Sequence, residues 1–216
     1  MRPERLRRLR EVLARRQPDL TVLLERVDKP HNFSAILRSC DAVGVLEAHV
    51  VPPARGIDLS HAVSAGTRKW VRVRTHDDLE AAAAHLRTRG FRIVAADPAP
   101  GAFDYRAVDY TLPTALLLGA EKFGISDAGR ALADALVMVP MQGMVRSLNV
   151  SVATALILYE AMRQREEAGR YAAPTLDAAA FDTTLFEWAY PELAESYRAR
   201  GEPYPALDEE GRIVER

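Results

Sequence analysis

The sequence predicts an α/β protein built on a mainly parallel sheet flanked by helices. Three observations carry that expectation. Short apolar, β-prone runs alternate along the chain with stretches of helical periodicity, the order that a parallel sheet requires. The runs at 20–24 and 114–118 are largely apolar, as strands covered on both faces are. Proline and glycine punctuate the joins, at Pro18, Gly44, Gly90, Gly119 and Pro140.

The elements follow in order. Residues 2–16 form a helix whose narrow apolar stripe is Leu6, Leu9 and Leu13, with most arginines off that stripe and Pro18 ending it. Residues 20–24 are a strand, 29–32 a loop, and 33–43 a helix with Asn32 as its candidate N-cap and Gly44 closing it. Strands at 48–51 and 71–74 flank a loop rich in proline and glycine. Residues 77–89 form a helix with aspartate at its start and Gly90 at its end. Strands follow at 91–95 and 114–118, then a short helix at 126–133 under a Ser126 cap, and a strand at 136–139. A long helix runs from 147 to 169, with Ser147 as a candidate cap, and 176–190 is one more helix. The tail from Pro191, rich in Pro, Glu and Gly, reads as loose. The expected organisation is a basic N-terminal helix at 1–17, the main domain at 18–170, and a C-terminal helix with an acidic tail at 171–216.

Composition narrows the function classes. At 216 residues and 48% apolar content the chain supports one main core. No apolar run reaches the roughly 20 residues of a membrane span, and the basic N-terminus is not followed by the apolar stretch of a secretory signal. A single cysteine, Cys40, excludes an internal disulfide and suits a reducing, cytoplasmic setting. The five histidines have no ligand-like spacing, so no metal site is expected. The net charge of −1 conceals an asymmetry. Arg2, Arg5, Arg7, Arg8, Arg10, Arg15 and Arg16 face only Glu4 and Glu11 at the N-terminus, whereas the C-terminal residues are mostly acidic. A basic segment of this kind is either a polyanion contact or a solvated helix face.

Ligands of α/β sheets bind beyond the carboxyl ends of the strands, so the loops there are where chemistry is sought. The first is Lys29-Pro-His-Asn-Phe-Ser-Ala-Ile-Leu-Arg38. Asn32 there is a cap or a site residue; Arg38, six positions on, lies roughly a third of a turn away from it. The second is Gly119-Ala-Glu-Lys-Phe-Gly-Ile-Ser126, whose glycines allow bare backbone to approach a ligand. It is neither GxGxxG nor a P-loop, which argues against a nucleotide-binding oxidoreductase. The third is Pro140-Met-Gln-Gly-Met-Val-Arg-Ser-Leu-Asn-Val-Ser-Val-Ala153, where a Pro/Gly loop leads into an apolar helix opened by Ser147, Leu148 and Asn149. A polar asparagine at that position needs a partner if buried.

Together and in this order, the three loops resemble the motifs of the TrmH-like family of SPOUT methyltransferases. The resemblance covers residues 1–175. Gln17-Pro-Asp-Leu-Thr-Val-Leu-Leu24, Cys40-Asp-Ala-Val-Gly44 and Lys69-Trp70 are similar to the subgroup that modifies the D-loop guanosine of tRNA, as are the basic first helix and the arginines ending the long helix. Ala173, where a further basic residue is expected, and the length of the acidic tail depart from that subgroup.

The resemblance implies a parallel sheet whose C-terminal part is threaded into a deep trefoil knot, and a homodimer with its active site at the dimer interface. The apolar helix faces in 150–159 and 36–43 are candidates for that interface or for ordinary core. It implies S-adenosylmethionine as cofactor, held by Ala96, Gly119, Val139, Met141 and Leu148, and methylation of the ribose 2′-oxygen of guanosine at tRNA position 18. Arg38, Asn32, Glu121, Ser147 and Asn149 are the implied catalytic residues. A guanidinium is a poor base at neutral pH, so Arg38 is expected to hold a phosphate and stabilise the developing alkoxide. Asn32, Asn149 and Glu121 position their neighbours, Ser147 contacts the phosphate or caps the helix, and His31 is an alternative base. Arg5, Arg8, Arg163 and Arg165 are the implied RNA contacts. The rivals are a 2′-O-methyltransferase of ribosomal RNA or the tRNA anticodon loop, and a non-catalytic RNA-binding protein on the same fold.

Overall fold

The computed structural model describes residues 1–54 and 69–214, so most of the loop rich in proline and glycine lies outside the described residues. The chain divides into two compact units, Pro18–Ala168 and a second made of Met1–Gln17 with Gly169–Arg216.

Pro18–Ala168 is built on a seven-stranded sheet in the order β3-β2-β1-β6-β4-β7-β5, with every neighbouring pair parallel. The strands are β1 Leu20–Glu25, β2 Glu47–Val51, β3 Arg72–Thr75, β4 Arg92–Ala96, β5 Phe103–Asp104, β6 Thr114–Leu118 and β7 Ala135–Met138. The helices of this unit are α2 Pro30–Ala42, α3 Leu79–Thr88, α4 Asp127–Leu132 and α5 Val150–Glu167. Late strands lie between early ones: β6 sits between β1 and β4, and β7 between β4 and β5.

The central strands are buried along their whole length, β1 and β6 without an exposed position. Their alternate side chains feed two cores. Val22, Leu24, Leu116 and Leu118 pack with Phe33, Ile36 and Leu37 of α2 and Ile157, Leu158 and Ala161 of α5. Leu23, Ala115 and Leu117 pack on the opposite face with Leu79, Ala82, Ala83 and Leu86 of α3. β3 is an edge strand, and Arg72 and Arg74 on it oppose pairing with a further strand.

Two helix starts differ from the sequence expectation, and both matter for the site. The second helix begins at Pro30, not at residue 33, and its N-cap is Lys29, which makes no side-chain capping bond. Proline at the first helical position is already set in helical φ, so the helix starts early and Asn32 becomes an internal residue with a free side chain. The long helix begins at Val150, and its cap is Asn149 rather than Ser147. β5 is two residues long and carries no periodicity that sequence reading detects.

In the other unit, α1 Pro3–Ala14 packs on α6 Ala178–Ala189, with Leu6, Leu9 and Leu13 buried as expected. The Arg16 guanidinium lies 5.0 Å over the Trp188 ring, and Arg16 is fully buried. The residues after Pro191 depart from the loose tail expected of them. α7 Pro191–Arg200 is a helix, the Phe186 and Tyr204 rings stack at 4.8 Å, and the Tyr190 hydroxyl donates to the Gly211 carbonyl at 2.7 Å. Aromatic residues spread over a Pro- and Glu-rich stretch supply the packing that its composition conceals.

Candidate active site

A cavity of about 500 Å³ opens beyond the carboxyl ends of β4, β6 and β7, where open α/β sheets bind ligands. Leu118, Val137, Val139, Leu148, Ala153 and Ile157 give it apolar walls, and Asp97, Glu121, Arg130, Arg146 and Ser147 give it polar ones. The loop after β6 forms one side of it. Glu25, at the end of β1 and almost fully buried, accepts from the Ser126 N–H at 3.1 Å and ties that loop to the sheet. The loop closes on itself through Gly124 N–H to Ala120 carbonyl at 2.7 Å. Gly119 was expected to be glycine so that a ligand could come close; the cause is internal. A Cβ at Gly119 would lie 2.1 Å from the Gly124 carbonyl carbon, so the loop itself forbids a side chain.

A chain of hydrogen bonds joins all three sequence motifs. The Asp28 and Lys29 N–H groups each donate to the Glu121 carboxylate at 3.2 Å, and Asn32 Nδ2 donates to Glu121 Oε1 at 2.8 Å. Asn149 Nδ2 donates to Asn32 Oδ1 at 3.1 Å. Asn149 Oδ1 in turn accepts from the Ser151 N–H at 2.8 Å and caps α5. Burial disfavours the Glu121 charge, but the Asn32 amide and the surrounding backbone N–H groups outweigh it and hold the carboxyl below its usual range. Asn32 is 2% exposed, so its amide is locked between two neighbours whose own side chains line the cavity.

The structure therefore brings together Asn32, Glu121, Ser147 and Asn149, with Ala96, Gly119, Val139 and Leu148 lining the same cavity. Met141 does not line it. Arg38 lies apart, exposed on α2, and has no ion-pair partner among the described residues. His31 is exposed near the start of α2. Sequence reading passed over Lys29, Asp97, Arg130 and Arg146, which line the cavity. Asp97 follows directly on β4, so the strand-end rule applied to that strand finds it. It accepts from Arg130 Nε at 2.6 Å.

The expected RNA contacts divide. Arg5 and Arg8 are exposed on α1. Arg163 is exposed but paired with Glu160 at 2.7 Å and Glu167 at 2.6 Å. Arg165 cannot touch RNA: it is 0% exposed, and its guanidinium donates to Asp19 Oδ1 at 2.6 Å and to the Tyr110 carbonyl at 2.8 Å. Its place in an arginine-bearing helix end gave no sign of this, because Arg163 and Arg165 lie about 200° apart around the helix. Three of the histidines, scattered in sequence, meet in space. His49, His76 and His85 lie together, and His49 and His85 form with Glu47 a group able to hold a metal ion.

Residues 19–159 match the SpoU rRNA Methylase family, and residues 163–216 match the family described as SpoU, rRNA methylase, C-terminal. The chain belongs to the SpoU methylase family. Within it, a Thermus thermophilus protein named tRNA (guanosine(18)-2′-O)-methyltransferase is 56% identical over 85% of this chain and 95% of its own length. An Escherichia coli K12 protein of the same name is 49% identical over 99% of this chain and 94% of its own length. Among solved structures, the Aquifex aeolicus TrmH/SpoU tRNA modifying enzyme superposes with a TM-score of 0.81 at 43% identity, covering 88% of this chain and 97% of that one. The SpoU methyltransferase AviRb from Streptomyces viridochromogenes, solved in complex with AdoMet, superposes at 0.63 with 32% identity over 70% of this chain and 62% of that one.

Proposed function

We propose that this chain transfers a methyl group from S-adenosylmethionine to the ribose 2′-oxygen of the guanosine at position 18 in the D-loop of tRNA. The observation that carries the reading is the Glu121–Asn32–Asn149 hydrogen-bond chain at a cavity of about 500 Å³, in a chain 56% and 49% identical to proteins named for that reaction. The cavity residues fit the cofactor: apolar walls from Leu118, Val137, Val139 and Leu148 suit a purine, and the Asp97–Arg130 pair suits a zwitterionic amino-acid end. The cofactor supplies an activated methyl group on a sulfonium. The chain's own residues bind and orient the reactants, and solvent water takes the proton that the 2′-hydroxyl loses.

Glu121 holds the Asn32 amide, and Asn32 holds Asn149, so the mouth of the cavity is pre-organised before RNA arrives. Ser147 lines the cavity without capping the helix, which leaves its hydroxyl for a substrate phosphate. Arg38 neutralises the phosphate and the alkoxide that develops as the 2′-hydroxyl attacks. Because Arg38 lies outside its own chain's cavity, it serves the cavity of a second copy. The enzyme is accordingly a homodimer. On α5, Val152 at 47%, Leu156 at 39% and Tyr159 at 50% exposure form an apolar stripe at helical spacing, and α5 packs beside α2, which carries Arg38. The order of β6 and β7 between earlier strands supports threading of the C-terminal part into a trefoil knot. No helix among the described residues is long and apolar enough to cross a membrane, and a tRNA substrate supports a cytoplasmic setting.

The test uses methyl-labelled S-adenosylmethionine and an unmodified tRNA transcript, with labelled riboses mapped by nuclease digestion and mass spectrometry. Label on the ribose of guanosine 18 is expected. Label on another tRNA ribose, or only on ribosomal RNA, overturns the substrate and keeps the chemistry. Absence of label on any RNA overturns the reading.

A further inference from the structure

Glu47 and His49 alternate along β2, so their side chains leave the same face of the sheet, the one covered by α3. His85 comes down from α3, and His76 follows β3. The three imidazole rings lie 5.2, 5.4 and 5.4 Å apart, centre to centre. His49 is fully buried, yet its Nε2 has no hydrogen-bond partner, and neither has the buried Nε2 of His85. Two orphaned ring nitrogens side by side call for a ligand, because buried polar atoms are almost always satisfied. Glu47 Oε2 stands 3.6 Å from His49 Nε2. One donor atom from each of Glu47, His49 and His85 lies within 4.8 Å of the other two.

We propose that Glu47, His49 and His85 bind one divalent transition-metal ion of the zinc class, which joins β2 to α3. The donor set, two imidazoles and a carboxylate with room for a fourth ligand, is one that zinc and cobalt accept. Ligand atoms around a tetrahedral zinc stand roughly 3.4 Å apart, so the three donors close by about an ångström on binding. His49 Nδ1 lies 2.9 Å from His76 Nε2. With His49 Nδ1–H as the donor in that contact, the lone pair of His49 is on Nε2, the tautomer that a metal needs. Arg74 Nε at 3.1 Å and Arg89 Nη1 at 3.0 Å donate to the two Glu47 oxygens, as outer partners of ligating carboxylates do, and their charge moderates the affinity. None of the three ligands lines the methyl-donor cavity, so the site is separate from it.

The test titrates tag-free, chelator-stripped full-length protein with cobalt(II) and then zinc(II), following visible absorption and the thermal midpoint. One cobalt per chain with the intense bands of four-coordinate geometry, displaced by zinc, is expected. Zinc at a hundred times its dissociation constant should raise the folding equilibrium constant about a hundredfold. His85→Gln and Glu47→Gln, each confirmed folded by circular dichroism, should lose the bands and the shift. Wild-type protein without bands or shift overturns the proposal, as do variants that retain both.

Discussion

Asn149 Nδ2 donates to Asn32 Oδ1 across 3.1 Å, joining the cap of α5 to the first turn of α2. The two residues are 117 positions apart, and neither amide orientation is free once the bond forms. Asn149 Oδ1 is committed to the Ser151 N–H, so its amide nitrogen must face Asn32.

Asn149→Asp separates capping from donation. The carboxylate still accepts from the helix N–H but no longer donates to Asn32. Stability should hold to within about 1 kcal/mol, the usual worth of a cap, while methyl transfer falls at least tenfold. Asn32→Ala combined with Asn149→Asp should cost little more than either alone, because both act through one chain of bonds. Turnover and urea unfolding on the three variants decide it; additive losses would show two independent roles.

Glu121 makes the acid limb of stability informative. The Asn32 amide and the backbone N–H groups around it hold its carboxyl below the usual carboxylate range in the folded protein. A depressed carboxylate contributes stability that is complete above the unfolded value and is lost as pH falls through the folded one. Glu121→Gln should therefore be less stable at neutral pH, and its disadvantage should shrink as pH falls through the carboxylate range. Thermal midpoints measured from pH 7 downward for both proteins check the sign; curves that stay parallel would sink it.

Arg165→Ala should be a folding variant and not a binding one. It removes the fully buried guanidinium that donates to Asp19 and to the Tyr110 carbonyl, at a cost of about 3–5 kcal/mol in urea unfolding. Arg163→Ala removes the ion pairs of an exposed guanidinium and should cost under about 1 kcal/mol. The salt dependence of tRNA binding should be unchanged in Arg165→Ala; a shallower slope in any fraction that still folds would place Arg165 on phosphate after all.

Leu156→Glu puts a charge into the exposed stripe of α5. On the proposed dimer through α5, in which Arg38 serves the cavity of a second copy, the chain should fold, run as a monomer in light scattering, and lose methyl transfer. A dimeric Leu156→Glu with full activity would remove α5 from the interface.

Much was legible along the chain, and for a physical reason. Strands and helices announce themselves through short-range periodicity. Leu6, Leu9 and Leu13 marked α1, the buried runs marked β1 and β6, and Ser126 marked the start of α4. The three motif loops stood out because each follows a strand and carries residues that a plain turn does not need. What failed was whatever depends on a partner far away in sequence. Asn32 looked like a cap because capping is local, whereas Pro30 had already started the helix and the amide was left for Glu121.

The sequence by itself therefore determined the α/β class, the alternation of elements, the family resemblance and the strand-end loops that line the cavity. Only the tertiary structure decided which polar groups meet. It placed Arg165 inside and Arg38 outside, and it gathered His49, His76 and His85 from three elements beneath one helix. Periodicity reports which face of an element is buried. It does not report what waits on the other side, because that depends on the order in which β3, β2 and β1 pair and on where α3 crosses them.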